Sequence, residues 1–534
     1  MSTIYKNDTA LGKLLQGPVA MCLEYNTFKE AEKSFTWSER WKIFNSDKSN
    51  LNIACECVDR HPKDKIAIRL KNSDGRTETY TFGQLSRLTS QFANMLAQKG
   101  VESGDRVGIV LNPSLEYYVS FYGVLKRGAV AVPCYALLGP DGLEYRLKES
   151  RAKIAIIAKE RERVIREGVV SEVISSEELT NLIQGECQEY ETNTSADHLA
   201  VIQFSSGTTG QPKQVLYNHA AMSVTAVFAK FWLGLRQNDS YLCTSSPAWG
   251  HGIWYGTVGP LIFGNGIGAF SGKFDPEMLL EAFEEFETTV TSNIPRVYKM
   301  IMECGKIDNY KLKLRRLTYT GDQIGREVVE YFQEKLGLYI GGTYGNTESG
   351  PIVLDYAFPD WKPRQGSTGK PIFGVKLGIL DEAGKELSPG QTGQVAVWRK
   401  GRWNGIGDYG YLDEEGYFWP KGRSDDVIKS SGYRIGPFEI ETVIEKHPSV
   451  LKAAVVGKPD KERGEIVKAF VVLVPHIQRT EALKAEIQDF VKTRLSMHEY
   501  PKEIEFTDAL PETVDGKIKR KVLRDMERNR QRAA

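Results

Sequence analysis

Hydrophobic and polar positions alternate along residues 64–345 in a way that predicts repeated strands and helices. Short apolar runs such as KIAIRL, RVGIVL and GAVAVPC are typical of buried strands. The segments between them, FGQLSRLTSQFANMLAQKG and LEYYVSFYGVLKRG, carry apolar residues three and four positions apart, as amphipathic helices do. Further strands are predicted at AKIAIIA, VIQF, TTVTSNIP and LRRLTYTG. Strands that alternate with helices predict an α/β protein with a parallel sheet covered on both faces.

The pattern changes twice toward the C-terminus. From about residue 366 to 420, short strands lie between Gly, Pro and Asp turns, which predicts a small β-barrel or sandwich. After Gly422 the order helix, strand, strand, helix predicts an α+β unit of about a hundred residues, a usual domain size. We place the boundary near residue 424 and expect domains at 1–424 and 425–534. The basic tail KIKRKVLRDMERNRQRAA is predicted to be a solvated helix end.

Composition narrows the class of protein. Of the 534 residues, 41% are hydrophobic and 26% are charged, with 70 Lys plus Arg against 69 Asp plus Glu. The net charge of +1 gives no reason to expect nucleic acid or an anionic membrane as a partner. We find no uncharged apolar run of roughly 20 residues and no secretory signal, so we expect a cytoplasmic protein without integral membrane association. Seven scattered cysteines without a CxxC pair argue against a disulfide framework or a zinc site.

A loop suited to binding phosphate directly follows the predicted strand VIQF. Glycines let successive backbone N–H groups turn toward one anion, hydroxyls add hydrogen-bond donors, and a lysine adds positive charge. The spacing does not fit the Walker pattern GxxxxGK(S/T), so the loop by itself predicts a nucleotide phosphate site but no particular reaction. The candidate phosphate-binding residues are Ser205, Ser206, Gly207, Thr208, Thr209, Gly210 and Lys213.

This loop, SSGTTGQPK, resembles the signature loop of the adenylate-forming superfamily, which includes acyl-CoA synthetases, carrier-protein adenylation domains and firefly-type luciferases. Other segments resemble the family's motifs in the same order: YGNTE, the Gly-Asp pair that ends at Asp408, GRSDDVIKSSGYRIGPFEIE and PETVDGKIKR. The closing stretch is most similar to medium-chain, AMP-forming acyl-CoA synthetases. The resemblance implies a large N-terminal domain of two α/β subdomains plus a small β-barrel, followed by a mobile α+β C-terminal domain.

The resemblance also implies the reactants. A carboxylic acid would react with ATP to form an acyl-adenylate and pyrophosphate, and coenzyme A would then take the acyl group and release AMP. Joining the acid to AMP supplies a good leaving group. Because both reactants are anions, cations and hydrogen-bond donors must lie where charge builds. We therefore expect ATP, Mg²⁺, coenzyme A and a small carboxylic acid as ligands, and leave a homodimer open.

Two segments are implied to bind the nucleotide. In YGNTE, Tyr344 offers a flat face for adenine, Thr347 donates to the α-phosphate, and Glu348 binds Mg²⁺, a cation that one carboxylate and phosphate oxygens commonly hold. A capping Thr-Glu at a helix start is the alternative for the last pair. The remaining residues expected to bind AMP in these two segments are Gly345, Asn346, Gly321, Asp322 and Gln323. The last three stand where the family usually has Gly-Glu-Pro.

A charged pair and a lysine complete the implied adenylation site. Asp408 is expected to accept hydrogen bonds from the ribose hydroxyls, with support from Arg423. A turn aspartate is the alternative for Asp408. Lys517 lies in a Gly-Lys turn and is expected to bridge the carboxylate and the α-phosphate, where its charge offsets their repulsion. Without the preceding PETVDG it would be one more exposed lysine.

The second half-reaction is implied to use the residues after the domain boundary. Asp425 matches the hinge position, where a loop residue absorbs the dihedral change of a domain movement. Lys429 is expected to act in catalysis, and Gly432 lacks a Cβ, so the pantetheine arm can pass close to the backbone. Arg434 is expected to contact nucleotide phosphate and Lys492 a phosphate of coenzyme A.

The acyl pocket is expected to form from residues 246–256 and the segment before Glu348. In acetate-specific relatives a tryptophan fills the pocket at the position of Gly345, so its absence predicts an acid longer than acetate or cyclic. Core packing is the alternative for the aromatic residues of this segment, and a satisfied polar group is the alternative for its histidine. The candidate lining residues are Trp249, His251, Gly252 and Tyr255, together with Gly345.

Two other functions stay open at this point. A stand-alone adenylation enzyme would load an amino or aryl acid onto a separate carrier protein; we find no DSL-type serine for a phosphopantetheine arm, which favours free coenzyme A. A catalytically silent nucleotide-binding regulator could share the fold. The presence of Thr347, Glu348 and Lys517 argues against the silent regulator.

Overall fold

The computed structural model describes residues 23–205, 212–272, 274–346, 349–423, 426–430, 433–460, 464–495, 500–513 and 517–533. By internal contacts the chain divides into two compact units, Met1–Gln365 with Ile372–Gly374, and Gly366–Pro371 with Val375–Ala534. The second unit therefore contains both the segment expected to form a β-barrel and the expected α+β unit. A domain boundary at residue 424 stays a prediction.

The first unit contains two sheets. In one, the strand order is β6-β5-β3-β4-β7-β8, and all neighbours are parallel except the hairpin of β7 and β8. In the other, the order is β14-β13-β12-β11-β9-β10-β1-β2, with antiparallel pairs only at the two ends. These strands are β1 (Ile66–Asn72), β2 (Thr77–Thr81), β3 (Arg106–Val110), β4 (Val130–Pro133), β5 (Ala152–Ile157), β6 (Glu172–Ser175), β7 (Leu199–Ser205), β8 (Lys213–Asn218), β9 (Tyr241–Cys243), β10 (Ile267–Ser271), β11 (Val290–Asn293), β12 (Arg316–Tyr319), β13 (Ile340–Asn346) and β14 (Gly350–Leu354).

Helices fill the intervals between these strands, which confirms the predicted α/β class. The α-helices are α1 (Phe28–Ser34), α2 (Phe82–Gln98), α3 (Leu115–Lys126), α4 (Pro140–Ser150), α5 (Ser176–Ile183), α6 (His219–Ser223), α7 (Thr225–Phe231), α8 (Gly259–Ile262), α9 (Pro276–Glu285), α10 (Pro295–Cys304) and α11 (Arg326–Leu336). Short 3₁₀ segments are Trp37–Ile43, Lys159–Val164 and Ile307–Asn309, and π-helical segments are Cys55–Asp59 and His251–Val258.

Helix α2 shows how local sequence sets an element. It begins after Thr81, whose hydroxyl accepts the Gln84 N–H while the Gln84 side chain accepts the Thr81 N–H, a reciprocal cap. Its apolar face buries Leu85, Phe92 and Leu96 completely. Residues four and seven positions apart thus lie on one side of the helix, as the hydrophobic pattern predicts.

Among its described residues the second unit contains three helices and mostly antiparallel strands, with one parallel pair formed by the last two strands. Its elements are β15 (Lys370–Pro371), β16 (Leu377–Leu380), β17 (Gly393–Arg399), β18 (Arg402–Leu412), β19 (Phe418–Arg423), β20 (Ile428–Ser430), β21 (Tyr433–Ile435), α12 (Pro437–Ile444), β22 (Val450–Asp460), β23 (Gly464–Leu473), α13 (Glu481–Arg494), β24 (Glu503–Phe506) and α14 (Arg520–Ala533). Strands β16 to β19 form an antiparallel sheet in sequence order; its closure into a barrel stays a prediction. Strands β20 to β24 form a second sheet.

The basic C-terminal tail is a helix, as predicted, but it is not simply solvated. Helix α14 buries Leu523, Arg524 and Glu527. Glu527 is 1% exposed and pairs with Lys468 on β23 at 2.8 Å. The prediction of a solvated helix end was wrong for this face, because ion pairs allow charged residues of the tail to be buried.

Candidate active site

The carboxyl ends of β12 and β13 carry two segments expected to bind nucleotide. The two strands are parallel, and Tyr319 is the register partner of Gly342. Gly321 and Tyr344 each follow that pair by two residues. Ligands of open α/β sheets bind at the carboxyl ends of the strands, so this position suits a ligand site.

Trp249 packs directly against Gly321. A Cβ added at Gly321 would lie 2.8 Å from Cη2 of Trp249, and Gly321 has a φ of +99°, which L side chains rarely adopt. Next to it, Asp322 Oδ1 accepts the Gln323 N–H at 2.8 Å. The segment expected to line the acyl pocket therefore contacts the segment expected beside adenine.

His251 is a buried, neutral bridge between two serines. Its Nδ1 lies 2.7 Å from Ser245 Oγ, and its Nε2 lies 2.8 Å from Ser292 Oγ at the end of β11. A neutral imidazole can donate to one hydroxyl and accept from the other. Burial lowers the pKa of His251 to about 3, so it stays uncharged at neutral pH. The geometry favours the alternative of a satisfied polar group that holds Trp249 in place, with the two rings 5.5 Å apart.

The other two predicted pocket residues lie on the same π-helical segment. Gly252 is required locally, because a Cβ there would clash with the carbonyl oxygens of Ser245 and Ser246. The Tyr255 ring is buried and contacts the Trp232 ring edge-on, with 5.3 Å between the centroids. π-helical segments are rare and occur frequently at functional sites.

The hairpin of β13 and β14 fixes the residues on either side of Thr347 and Glu348. Asn346 Oδ1 accepts the backbone N–H and the hydroxyl of Ser349, both at 2.7 Å. A Cβ at Gly345 would clash with the Gly350 carbonyl oxygen, so the backbone contact within the hairpin already requires a glycine at position 345. Thr347 and Glu348 themselves lie outside the described residues.

The segment predicted to bind phosphate lies between two residues that are backbone partners. Ser205 at the end of β7 pairs with Lys213 at the start of β8, and Lys213 is exposed. The Tyr145 hydroxyl donates to the Pro212 carbonyl oxygen at 3.0 Å, which holds one end of the loop. The predicted residues Ser206, Gly207, Thr208, Thr209 and Gly210 lie outside the described residues.

In the second unit, Asp408 and Arg423 form an ion pair. They are register partners on β18 and β19, and Arg423 Nε lies 3.3 Å from Asp408 Oδ1. The Asp408 side chain is 16% exposed and the Arg423 side chain 46% exposed. The pair places a half-buried carboxylate beside a more open guanidinium, a combination that suits two ribose hydroxyls.

The strands after the predicted hinge bring Lys429 and Arg434 together. They are register partners across the hairpin of β20 and β21, although their side chains lie outside the described residues, as do Asp425 and Gly432. Asp426 is held by Arg524, so the chain just after the predicted hinge is attached to α14. Buried pairs of this kind are strongly destabilising to break.

The backbone around Lys517 is fixed by Thr513. The Thr513 N–H donates to the Lys517 carbonyl at 2.8 Å, and the Thr513 hydroxyl accepts the Lys517 N–H at 3.0 Å. Lys492 lies in the last turn of α13 with its Nζ 5.6 Å from the centre of the Tyr500 ring. This cation–π contact gives Lys492 a structural partner without excluding a phosphate.

Sequence reasoning missed the serines that hold His251. Ser245 and Ser292 carry no motif and lie 47 positions apart, Ser245 two residues after β9 and Ser292 on β11. Only the parallel pairing of β9 with β11 brings their hydroxyls to the same histidine. No signal in the sequence alone could have found them.

The chain has recognisable relatives. Residues 56–405 match the family described as AMP-binding enzyme, and residues 439–517 match the family described as AMP-binding enzyme C-terminal domain. The chain belongs to the AMP-binding enzyme family. The two matched regions agree with the order of the motifs along the sequence.

Similar proteins of this family include acetyl-coenzyme A synthetase of Bacillus subtilis (strain 168), 36% identical over 551 residues, which cover 94% of this chain and 95% of the relative. The mitochondrial acyl-coenzyme A synthetase ACSM3 of Rattus norvegicus is 34% identical and covers 89% of this chain and 90% of its own length. The crystal structure of the anthranilate CoA ligase AuaEII in complex with anthranoyl-AMP superimposes with a TM-score of 0.81 at 27% identity, covering 90% of this chain and 98% of that one.

These relatives confirm the predicted enzyme class. This AMP-binding enzyme is an AMP-forming acid–thiol ligase of the acyl-CoA synthetase group, and ATP, coenzyme A and a small carboxylic acid fit that class as substrates. Across the described ranges we find no helix with the length and apolar character needed to span a bilayer.

Proposed function

We propose that this enzyme activates a carboxylic acid longer than acetate, or a cyclic one, and transfers the acyl group to free coenzyme A. The observation that carries the proposal is the contact of Trp249 with Gly321. A bond between the acid and AMP forms only if the acyl pocket adjoins the nucleotide site. The contact supports this adjacency between the two segments expected to bind the reactants.

In the proposed first half-reaction, a carboxylate oxygen attacks the α-phosphorus and pyrophosphate leaves. Backbone N–H groups of the loop between Ser205 and Lys213 bind phosphate oxygens, and Thr347 donates to the α-phosphate. Glu348 would hold Mg²⁺, which would supply positive charge near the phosphate oxygens. Lys517 supplies the charge that offsets repulsion between carboxylate and phosphate.

The nucleoside is held by separate groups. Tyr344 stacks on adenine, and the segment Gly321, Asp322 and Gln323 lies at its edge. Asp408 accepts from the ribose hydroxyls while Arg423 keeps the carboxylate oriented, which the 3.3 Å ion pair supports. Ionised acceptors form shorter and stronger hydrogen bonds than neutral ones.

In the proposed second half-reaction, the thiol sulfur of coenzyme A attacks the acyl carbonyl carbon and AMP leaves. A movement of residues 425–534 about Asp425 exchanges Lys517 for Lys429 and Gly432 at the reaction centre. Arg434 then contacts nucleotide phosphate, and Lys492 contacts a phosphate of coenzyme A. Lys429→Ala, or a bulky residue at Gly432, should impair thioester formation and spare adenylation.

The size of the acid follows from the pocket segment. The lining proposed is Trp249, His251, Gly252 and Tyr255, with Gly345 in place of a pocket-filling tryptophan. The clash of a Cβ at residue 345 with the Gly350 carbonyl oxygen is a second reason for glycine there. The alternative to a longer acid is acetate, the acid whose acyl group is named in the Bacillus subtilis relative.

The experiment is an assay of the purified chain with ATP, Mg²⁺ and coenzyme A. Pyrophosphate and acyl thioester are measured with acetate, butyrate, hexanoate, cyclohexane carboxylate and benzoate. We expect both products, with acetate a poor substrate. Pyrophosphate without thioester would point to a carrier-protein acceptor, and no pyrophosphate with any acid would point to a silent regulator. A cytoplasmic location and a homodimer are further proposals, to be tested by cell fractionation and light scattering.

A further inference from the structure

Gln203 carries a buried hydrogen-bond donor that has no partner within the described part of the chain. It lies on β7, two residues before the phosphate loop begins, and is 2% exposed. Its Oε1 accepts the Trp254 indole N–H at 3.1 Å, whereas its Nε2 makes no hydrogen bond. Buried amide donors are nearly always satisfied, so an unpaired one calls for an explanation.

The orientation of the amide follows from its partner. An indole N–H can only donate, so the atom that faces Trp254 must be the amide oxygen, and the NH₂ group must point the other way. Trp254 is itself held by the Tyr217 ring, with 4.6 Å between the ring centroids. The donor of Gln203 is therefore fixed in direction rather than free to rotate toward another acceptor.

The amide lies beside the segment proposed to line the acyl pocket. A Cβ at Gly250 would be 3.8 Å from Gln203 Oε1 and 3.4 Å from Trp254 Cδ1. Gly250 stands between Trp249 and His251, so it leaves out a side chain where the amide oxygen approaches this segment. Nε2 is bonded to the same amide carbon as this oxygen, so the unpaired donor also lies near the segment expected to bind the acyl group.

We propose that Gln203 is a specificity-determining residue whose Nε2 donates to an acceptor atom on the acyl group. The preferred acids would then carry a keto or ether oxygen, a hydroxyl or a ring nitrogen. The inference rests on the proposed function, since it assumes that residues 246–256 bind the acid. A site built to hydrogen-bond one group discriminates strongly against analogues that lack it.

The test compares acids of matched shape. The pairs are nicotinate and isonicotinate against benzoate, 4-oxopentanoate against 4-methylpentanoate, and 5-oxohexanoate against 5-methylhexanoate. The measurement is kcat/KM for pyrophosphate release with saturating ATP. We expect at least one acceptor-bearing acid to exceed its apolar partner about tenfold or more, because the apolar acid leaves the donor unpaired.

Two substitutions remove the donor in different ways. Gln203→Leu removes the whole amide, and Gln203→Glu keeps an oxygen for Trp254 while it replaces the NH₂ group. Each should lower kcat/KM for the preferred acid about ten- to hundredfold and change its apolar partner less than about threefold. Gln214→Leu is the matched control: this glutamine lies on β8, its amide donates to the Glu149 carbonyl at 2.7 Å, and the preference should persist without it.

The possible results distinguish a failure of this inference from a failure of the proposed function. If every apolar acid matches or exceeds its acceptor-bearing partner in the unmodified enzyme, the inference is wrong and the amide binds only water. The same holds if both variants slow both members of a pair equally. If no acid releases pyrophosphate, the proposed function fails instead. Should Gln203→Leu not fold, as judged by its melting curve, Gln203→Glu and the selectivity of the unmodified enzyme decide.

Discussion

Because Gly321 has no side chain, the segment proposed to line the acyl pocket can pack against the segment proposed to lie beside adenine. The residue combines a φ of +99° with the Trp249 indole, whose Cη2 would lie 2.8 Å from an added Cβ. The indole lies 5.5 Å from the His251 ring, which two serine hydroxyls hold. Any change at residue 321 should therefore be transmitted to the wall of the proposed acyl pocket.

We predict that Gly321→Ala lowers kcat/KM for adenylation about tenfold or more, because displacement of a positioning group by about 1 Å can cost up to about a hundredfold. Pyrophosphate release at saturating ATP is the measurement. Gly337→Ala is the control, since Gly337 also has a positive φ, of +68°, but open space around its Cβ. It should lower Tm and leave activity within about twofold. Equal losses of activity in both variants would contradict the role given to the Trp249 contact.

The protonation state of His251 limits the role that this residue can have. With a pKa of about 3, it cannot serve as a general base that titrates near neutral pH. Its two hydrogen bonds instead fix the ring in one orientation. The residue is therefore a positioning group for Trp249.

At the scale of elements, the hairpin of β13 and β14 fixes the residues on either side of the two proposed to contact the α-phosphate and Mg²⁺. Asn346 closes its turn by accepting two hydrogen bonds from Ser349. Thr347 and Glu348 stand between these two residues in the sequence. The hydrogen bonds of Asn346 therefore support the proposed metal and phosphate site, although the residues proposed to contact the metal and the phosphate are its neighbours Thr347 and Glu348.

We predict that Asn346→Ala lowers kcat/KM for ATP by a factor of about 30, because two hydrogen bonds that fix the turn are lost, each worth roughly 1 kcal/mol. Asn346→Asp keeps an oxygen at the same position and should retain more activity. Steady-state pyrophosphate release at varied ATP and Mg²⁺ distinguishes the two. If the alanine variant binds ATP as well as the unmodified enzyme, the turn does not support the site.

The elements themselves were predictable from sequence to a large extent, because strands and helices follow local hydrophobic patterns. Strand β1, helix α2 and the helix α12 all lie where those patterns place them. The pairing of strands was not predictable: β1 pairs with β10, about 200 positions later in the chain, and only long-range packing selects that partner.

The candidate site, too, was only partly predictable from the sequence. Motif residues such as Asp408 and Arg423 were identified through the family resemblance, and the structure pairs them across a hairpin. The close contacts that require Gly252 and Gly345 were not foreseeable, since each depends on a carbonyl oxygen brought near by the folded backbone. The burial of one face of the basic tail was not predicted. It depends on ion pairs such as that of Glu527 with Lys468, and a partner so far away in the chain cannot be recognised from the local sequence.

For the molecule as a whole, acid should destabilise the first unit. Burial lowers the pKa of His61 to about 4 and the pKa values of His219 and His251 to about 3. Unfolded histidine titrates near 6.5, so below that pH the unfolded chain binds protons that the folded unit does not, and stability falls. Asp355 acts in the opposite direction, because burial raises its pKa to about 6 and the folded carboxyl binds its proton first.

We predict a net loss of about 4 kcal/mol in the free energy of unfolding of the first unit between pH 7.5 and pH 5. Urea unfolding followed by tryptophan fluorescence measures it. His219 Nδ1 accepts the Ile53 N–H at 3.1 Å, and His219→Asn offers an amide oxygen in its place without a titrating group. That variant should show a pH slope smaller by about one proton. Equal or greater stability at pH 5 than at pH 7.5 would contradict the assignment of buried neutral imidazoles.

In the proposed mechanism, different residues of the C-terminal region act in the two half-reactions. Lys517 is assigned to the formation of the adenylate, while Lys429 and Gly432 are assigned to thioester formation. The hydrogen bonds from and to Thr513 fix the Lys517 backbone, so a substitution at this side chain should leave the turn intact.

Single-turnover kinetics of Lys517→Ala test this division most directly, with adenylate formation and thioester formation from preformed adenylate measured separately. Lys519→Ala, an exposed lysine two positions further along, is the control. We expect Lys517→Ala to slow adenylate formation by a factor of about 10² to 10³ and thioester formation by less than about threefold, with Lys519→Ala near normal in both. Equal losses in the two half-reactions, or equal effects of the two lysines, would contradict the account.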